Sequence, residues 1–244
     1  MPEAKNLEFY NAYVVNVKDF LIAEKEIKRT INSALKKNKN NTVNVQTKIY
    51  ALLYSTYSES SFMKMILTPH GFEQKYIVEI LKQGSIQEKW YKTIELAFLK
   101  FNLSSKGSEV PNKIQELKKI ILEFVVNPSV IRNKIAHGQF SIALNSYNTA
   151  LNNDLSQKIE DLNVVYIYRL FEINKKLVAI IEDLIESPDK AHYAQYYAKY
   201  QFLIDYINKS KSWTVESKIG TKSMSKKSCP PQLMTNAVDH GITQ

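Results

Sequence analysis

The clearest signal in this chain is apolar side chains recurring at helical spacing. Over residues 5 to 37 the apolar line runs Tyr10, Tyr13, Val14, Val17, Phe20, Leu21, Ala23 or Glu24, Ile27, Ile31 and Ala34-Leu35, a helical stripe sustained for many turns. The polar run Lys36-Lys37-Asn38-Lys39-Asn40-Asn41 should break it. A second helix is predicted from Val43 to Leu67, with Ile49, Leu52, Leu53, Phe62, Met63 and Ile66 on its apolar line. Glu59 falls seven residues after Leu52 and seven before Ile66, which places a carboxylate on or beside the buried stripe. A carboxylate there needs a partner or a raised pKa.

Further helices are predicted over 72–83 and 86–103, separated by Gly84-Ser85, then from Pro111 to Val126, from Asn127-Pro128 to Gly138, over 155–186, and from Pro188 to Asn208. In the 127–138 segment, Asn127 fits an N-cap and Pro128 the first helical position. The glycines at 71, 84, 107 and 138 and the prolines at 69, 111, 128 and 188 all fall at proposed boundaries. No stretch alternates in the manner of a half-buried strand. The expected class is all-α: long antiparallel helices in one domain over residues 1–209, followed by a flexible basic tail over 210–244 in which lysine, serine and threonine replace apolar residues.

Three segments carry side chains that could do more than pack. The aromatic line Trp90, Phe98 and Phe101 reads as core. The helix from Pro111 shows Lys113, Lys118 and Lys119 mixed with Glu116 and Glu123, an ordinary solvated face. The last helix holds Tyr193, Tyr196, Tyr197, Tyr200 and Tyr206, each with an apolar ring and a polar tip. That suits a half-wet packing face, a partner surface or a base-stacking platform.

Composition narrows the class. The chain has 244 residues, 44% of them hydrophobic, and a net charge of +9. From Lys209 onward six lysines stand against Glu216 and Asp239, which is +4, so +5 remains for residues 1–208. A modest positive excess favours an anionic partner without demanding one. No apolar run is long enough to span a membrane, the N-terminus lacks a basic-then-apolar layout, and Cys229 is the only cysteine. A cytoplasmic protein with no membrane contact is expected. There is no H-E-x-x-H, no cysteine pair and no glycine-rich phosphate loop, so neither a metal nor a cofactor is expected.

The rarest chemistry gathers in Ile131-Arg132-Asn133-Lys134-Ile135-Ala136-His137-Gly138. Only three of the 33 basic residues are arginines (Arg29, Arg132, Arg169), and only four histidines occur. On a helix Asn133 and His137 share a face, whereas Arg132 and His137 lie about 140° apart and roughly 7.5 Å along the axis. Either Arg132 reaches round with its long stem, or two copies of the segment face each other and build one site from both.

Arg132-Asn133-x-x-x-His137, continuing into Gly138-Gln139, resembles the R-N-x-x-x-H motif of HEPN domains, the all-helical ribonucleases of bacterial toxin, abortive-infection and CRISPR-associated systems. The resemblance implies a HEPN-like helical bundle and a metal-independent endoribonuclease that cleaves RNA, tRNA or mRNA, to a 2′,3′-cyclic phosphate and a 5′-hydroxyl. It also implies a homodimer with a composite site and a possible cognate antitoxin or regulatory protein. His137 would be the general acid or base, Arg132 would bind the phosphate, and Asn133 would orient one of them. Glu59 would support the site, because Tyr57 to Lys64 is similar to the acidic second helix of some subfamilies. Lys134, Tyr196, Tyr197 and Tyr200 are candidate substrate or partner contacts. Toxins paired with a nucleotidyltransferase antitoxin commonly carry a tyrosine two residues after the motif histidine; here that position is Gln139, followed by Phe140. The competing reading, from another class, is a noncatalytic helical module that binds RNA or protein through its tyrosine-rich last helix, with Arg132 merely paired to a carboxylate and His137 ending a helix.

Overall fold

A computed structural model describes residues 3–99, 109–187 and 195–217. Among the described residues nine α-helices pack together: α1 Glu3–Lys36, α2 Asn40–Ile66, α3 Gln74–Leu81, α4 Ile86–Ala97, α5 Val110–Ile121, α6 Asn127–Ala136, α7 Asn153–Glu160, α8 Val164–Glu186 and α9 Tyr196–Ser210. No strand forms among the described residues; a single bridge joins Leu144 to Leu151. The all-α expectation holds. None of these helices is long and apolar enough to cross a membrane. The expected extension of the fourth helix to residue 103 with Phe101, the start of the last helix with Tyr193, and Cys229 with the tail from 218 lie outside the described residues.

Helices α1 and α2 form a long antiparallel hairpin. The turn is short because Asn38 takes a left-handed φ of 52° and the Lys39 amide returns to the Ala34 carbonyl at 3.0 Å. Asn40 and Asn41 therefore belong to the first turn of α2, not to the break. Helix α8 crosses α2, and the contact is aromatic. Phe171 is fully buried, with Tyr50 stacked on it at 5.2 Å and Tyr54 and Tyr57 at 5.3 and 4.9 Å. Each such side chain contributes roughly 1.5–3 kcal/mol of apolar burial.

This packing corrects the expected stripe of α2. The face turned to the core runs Tyr50, Tyr54, Tyr57-Ser58, Ser61-Phe62 and Met65-Ile66; of the expected line Phe62 and Ile66 are buried, Leu52, Leu53 and Met63 are half-buried against the core, and Ile49 is exposed. Glu59 consequently lies at the surface, its side chain 51% exposed. In α1 the stripe takes Glu24 rather than Ala23: Glu24 is buried, accepts a hydrogen bond from Tyr50 at 3.2 Å and pairs with Lys28 at 2.8 Å and Lys175 at 3.3 Å.

A second correction concerns the helix that carries the motif. It does not start at Asn127. Residues 110–136 form one helical run that passes through a π turn at Leu122–Val126, and both Val126 and Asn127 have helical φ and ψ. A proline inside a helix removes one amide and crowds the carbonyl four residues back. The oxygen left without its amide is that of Phe124, and the buried Tyr54 hydroxyl donates to it at 2.5 Å. Widening the ladder to a π turn accommodates the ring.

The expected helix over 155–186 is two helices. Asn163 interrupts it: its side-chain oxygen accepts from the Val165 and Tyr166 amides and starts α8 afresh. Beyond α9 the packing continues to Trp213 and Val215, which lie against the core. Trp213 stacks on Tyr168 and meets Tyr206 edge-on.

Candidate active site

Helix α6 packs against α2, which brings Arg132 to two side chains more than 70 residues away. The Arg132 Nε donates to Ser55 Oγ at 2.9 Å, and a terminal nitrogen donates to Glu59. Ser55 and Glu59 are four apart on α2 and so project from the same side. The guanidinium has five N–H donors; with two engaged, three remain for a ligand. It lies in a cleft of about 240 Å³ lined by Tyr54, Ser58, Glu59, Val125, Ser129 and Asn133, among others. Arg132 is 24% exposed and Glu59 51%, so the pair adds at most about 1 kcal/mol to stability. Its geometric effect is larger, since it holds the guanidinium in one orientation.

Asn133 lines the same cleft and is exposed. His137 is not in it. The last residue of α6 is Ala136, and His137 is the C-cap, with φ −92° and ψ 23°. Gly138 follows at φ +83°. The Gly138 amide bonds to the Ile135 carbonyl at 3.1 Å and the Gln139 amide to the Lys134 carbonyl at 2.9 Å, the Schellman arrangement that ends a helix. Nothing lies within 4 Å of where a Gly138 Cβ would stand; glycine is there for its φ, not for space. The His137 ring is exposed and has no hydrogen-bond partner among the described residues. The structure therefore brings Arg132, Asn133, Ser55 and Glu59 together and leaves His137 more than a turn away along the helix.

Lys134 has a scaffolding job. Its Nζ donates to the Leu144 and Asn145 carbonyls at 2.7 and 3.3 Å. Gln139 works with it, accepting from the Leu144 amide at 2.7 Å and donating to Asn148 at 3.2 Å. The polar connection after the motif is thus an ordered hairpin. Asn145 Oδ1 receives the Tyr147 and Thr149 amides, Asn148 takes φ 57°, and the Asn145 amide pairs with the Ala150 carbonyl at 2.8 Å. The hairpin displays Ile142, Tyr147 and Leu151 to solvent. Sequence reasoning did not find Ser55 or Gln139 as supporting residues. The spacing of Ser55 from Glu59 was the available signal for the first.

The tyrosine helix is mostly occupied with its own packing. Tyr196 is buried, stacks on Tyr200 at 5.7 Å and meets Phe98 edge-on. Tyr197 is 54% exposed and donates to Glu109. Lys113, expected on a solvated face, is buried instead. Its Nζ lies 4.9 Å from the Tyr196 ring centre and 4.4 Å from that of Tyr197, beside Glu109 at 3.7 Å. Burial pushes the Lys113 pKa down, and Glu109 offsets part of that. Burial likewise raises the Tyr196 hydroxyl well above its usual value. Among the described residues no three His, Cys, Asp or Glu side chains stand where they could share a metal ion; His192 and His240 lie outside them.

No protein-family model matches this chain, no curated protein is significantly similar to it, and no solved structure matches its fold.

Proposed function

We propose that the chain is a metal-independent endoribonuclease of the HEPN kind, acting as a homodimer in a bacterial defence or toxin system. The observation that carries this reading is an arginine held in an open cleft by Ser55 and Glu59, five residues before an exposed histidine at a glycine-ended helix terminus. A structural arginine would have its donors consumed. Three of the Arg132 donors are left over, and a phosphate oxygen is the acceptor that suits them.

In the proposed reaction an imidazole takes the proton from a ribose 2′-hydroxyl, and the oxygen attacks the adjacent phosphorus. The bond to the 5′-oxygen breaks, that oxygen gains a proton, and the products are a 2′,3′-cyclic phosphate and a 5′-hydroxyl. His137 takes the proton-transfer role. Arg132 stabilises the charge that builds on the non-bridging oxygens, and Asn133, on the same cleft wall, orients the phosphate. Glu59 acts through Arg132 as a positioning residue. Because His137 and Arg132 do not converge within one copy, the working site combines Arg132 of one protomer with His137 of another. An antitoxin or other regulator would act on that assembly.

The test is cleavage of a mixed tRNA and mRNA pool in excess chelator by the wild-type protein, Arg132→Ala and His137→Ala. The expected result is cyclic-phosphate ends that persist in chelator and disappear in both variants. Equal cleavage by all three proteins overturns the proposal.

The competing noncatalytic module matches the structure in two respects, Arg132 paired to Glu59 and His137 ending α6, and Tyr197 on α9 is exposed. The burial of Tyr196 and the lysine lodged under Tyr196 and Tyr197 leave only part of the expected base-stacking platform accessible.

A further inference from the structure

Helix α6 has a cleft on each side. Away from Arg132 lies a larger cavity of about 550 Å³, within the roughly 300–1,000 Å³ of small-molecule sites. Four parts of the fold enclose it. Glu123 of the π turn and Asn127, Val130 and Ile131 of α6 form one wall, Leu155 and Lys158 of α7 a second, Asp161 to Asn163 with Val165, Tyr166 and Arg169 around the start of α8 a third, and Trp213 the rim. π turns are frequently retained at functional sites, and this one opens onto the cavity.

Arg169 distinguishes the cavity from a packing defect. The other two arginines each pair with a carboxylate, Arg29 with Glu26 and Arg132 with Glu59. Among the described residues Arg169 has no carboxylate within ion-pair reach; its Nε donates to Ser210 Oγ at 3.0 Å, and its terminal nitrogens donate to nothing. Lys158, on the facing helix, also makes no ion pair among the described residues. Asp161 and Asn163 also line the cavity, so its two cations stand with two carboxylates, Glu123 and Asp161; the rest of the wall is largely apolar, and Val130 stays 43% exposed. Tyr168, which is not part of the wall, backs one face of the Trp213 indole, so the indole is held as a fixed flat surface. Glu123, close enough to Tyr166 to act on its hydroxyl as Arg169 does, supplies a carboxylate acceptor on the wall.

We propose that this cavity binds one nucleotide unit, with its phosphate on Arg169 and Lys158, its base against Trp213 and Tyr166, and an amino edge of the base toward Glu123. Two cations suit a phosphate, flat aromatic walls suit a base, and a carboxylate suits its N–H donors. A plain anion would leave the aromatic and apolar walls unused, and an apolar ligand would bury Arg169 uncompensated. The site uses none of Arg132, Asn133 or His137, so it stands whether or not the chain cleaves RNA. The nucleotide can be free or part of a strand.

Trp213 provides the readout. The only other tryptophan, Trp90, is fully buried in the core and serves as constant background. The full-length protein is titrated with the four nucleoside 5′-monophosphates, with inorganic phosphate and with a short mixed-sequence RNA carrying a 2′-O-methyl block, following indole fluorescence and confirming by calorimetry. Expected is a saturable change with at least one monophosphate or with the RNA, weakened by about tenfold or more in Arg169→Ala, the loss of one charge-assisted contact. Val130→Phe, at a half-exposed wall position that tolerates bulk, should block the cavity while leaving thermal unfolding unchanged. Binding of a monophosphate assigns the site to free nucleotide; binding of the RNA alone assigns it to a strand. The proposal is overturned by no binding at millimolar concentration, by inorganic phosphate binding as well as the nucleotides, or by undiminished binding in both variants.

Discussion

Tyr54 donates its hydroxyl proton to the Phe124 carbonyl, and Pro128, four residues beyond Phe124, has no amide with which to claim that oxygen. The two residues on either side of this gap belong to the cleft wall and to the motif helix, so one hydrogen bond repairs the helix and fixes where Arg132 sits. Tyr54→Phe leaves a buried carbonyl unmet and should cost about 1–3 kcal/mol. Pro128→Ala returns an amide to position 128. Chemical denaturation of the two single variants and the double variant should show the double less destabilised than the sum; strict additivity would mean that Tyr54 does not serve the gap.

A site divided between two copies has a distinctive genetic behaviour. Arg132→Ala retains His137, and His137→Ala retains Arg132. Mixed after unfolding and refolding together, these inactive proteins should recover a sizeable fraction of wild-type cleavage through hybrid dimers holding one intact site. Each alone should be down by roughly 10²–10⁴. If the mixture stays inactive while sedimentation shows that hybrids form, Arg132 and His137 act within one copy.

Glu24 makes stability depend on acid. Its burial would raise the carboxyl pKa, but hydrogen bonds and charge from Lys28 and Lys175 outweigh that and hold it below the ordinary value of 4.5. A depressed folded-state pKa means that the group's contribution is fully present above the unfolded value and is lost as pH falls through the folded one. Glu24→Gln should therefore lower stability at neutral pH by about 1–3 kcal/mol and flatten the fall below about pH 4.5, as read from urea midpoints across pH. A variant curve parallel to wild type through that range would count against the assignment.

Gly138 occupies a left-handed φ with open space around its Cβ position. Gly138→Ala should cost about 1–2 kcal/mol through backbone strain alone, and Gly138→Asn less. Thermal unfolding measures the first effect. If cleavage depends on where this turn places His137, Gly138→Ala should lower kcat more than KM.

The all-helical class and the motif were legible because they rest on long-range periodicity and on rare residue types. Less legible was the face of α2: tyrosines at 50, 54 and 57 have helical spacing, yet a ring with a hydroxyl is discounted against Ile49 or Leu52, and Glu59 was displaced with them. Pro128 misled because the same residue that opens helices also lies inside this one, and only the three-dimensional position of Tyr54 makes that tolerable. Lys113 shows the same limit, since nothing local to 113 announces two tyrosine rings arriving from residues 196 and 197. Arg132 meeting Glu59 was foreseen as one option among two; Ser55 became visible only when α6 lay against α2.

The hairpin after the motif is tied to α6 by Lys134 and Gln139 and carries Tyr147 at its tip, 85% exposed. Those ties make it a lever rigidly mounted on the helix, with an accessible end. A spin label at position 147 would leave the cleft untouched and would turn the separation of two such labels into a ruler between paired motif helices.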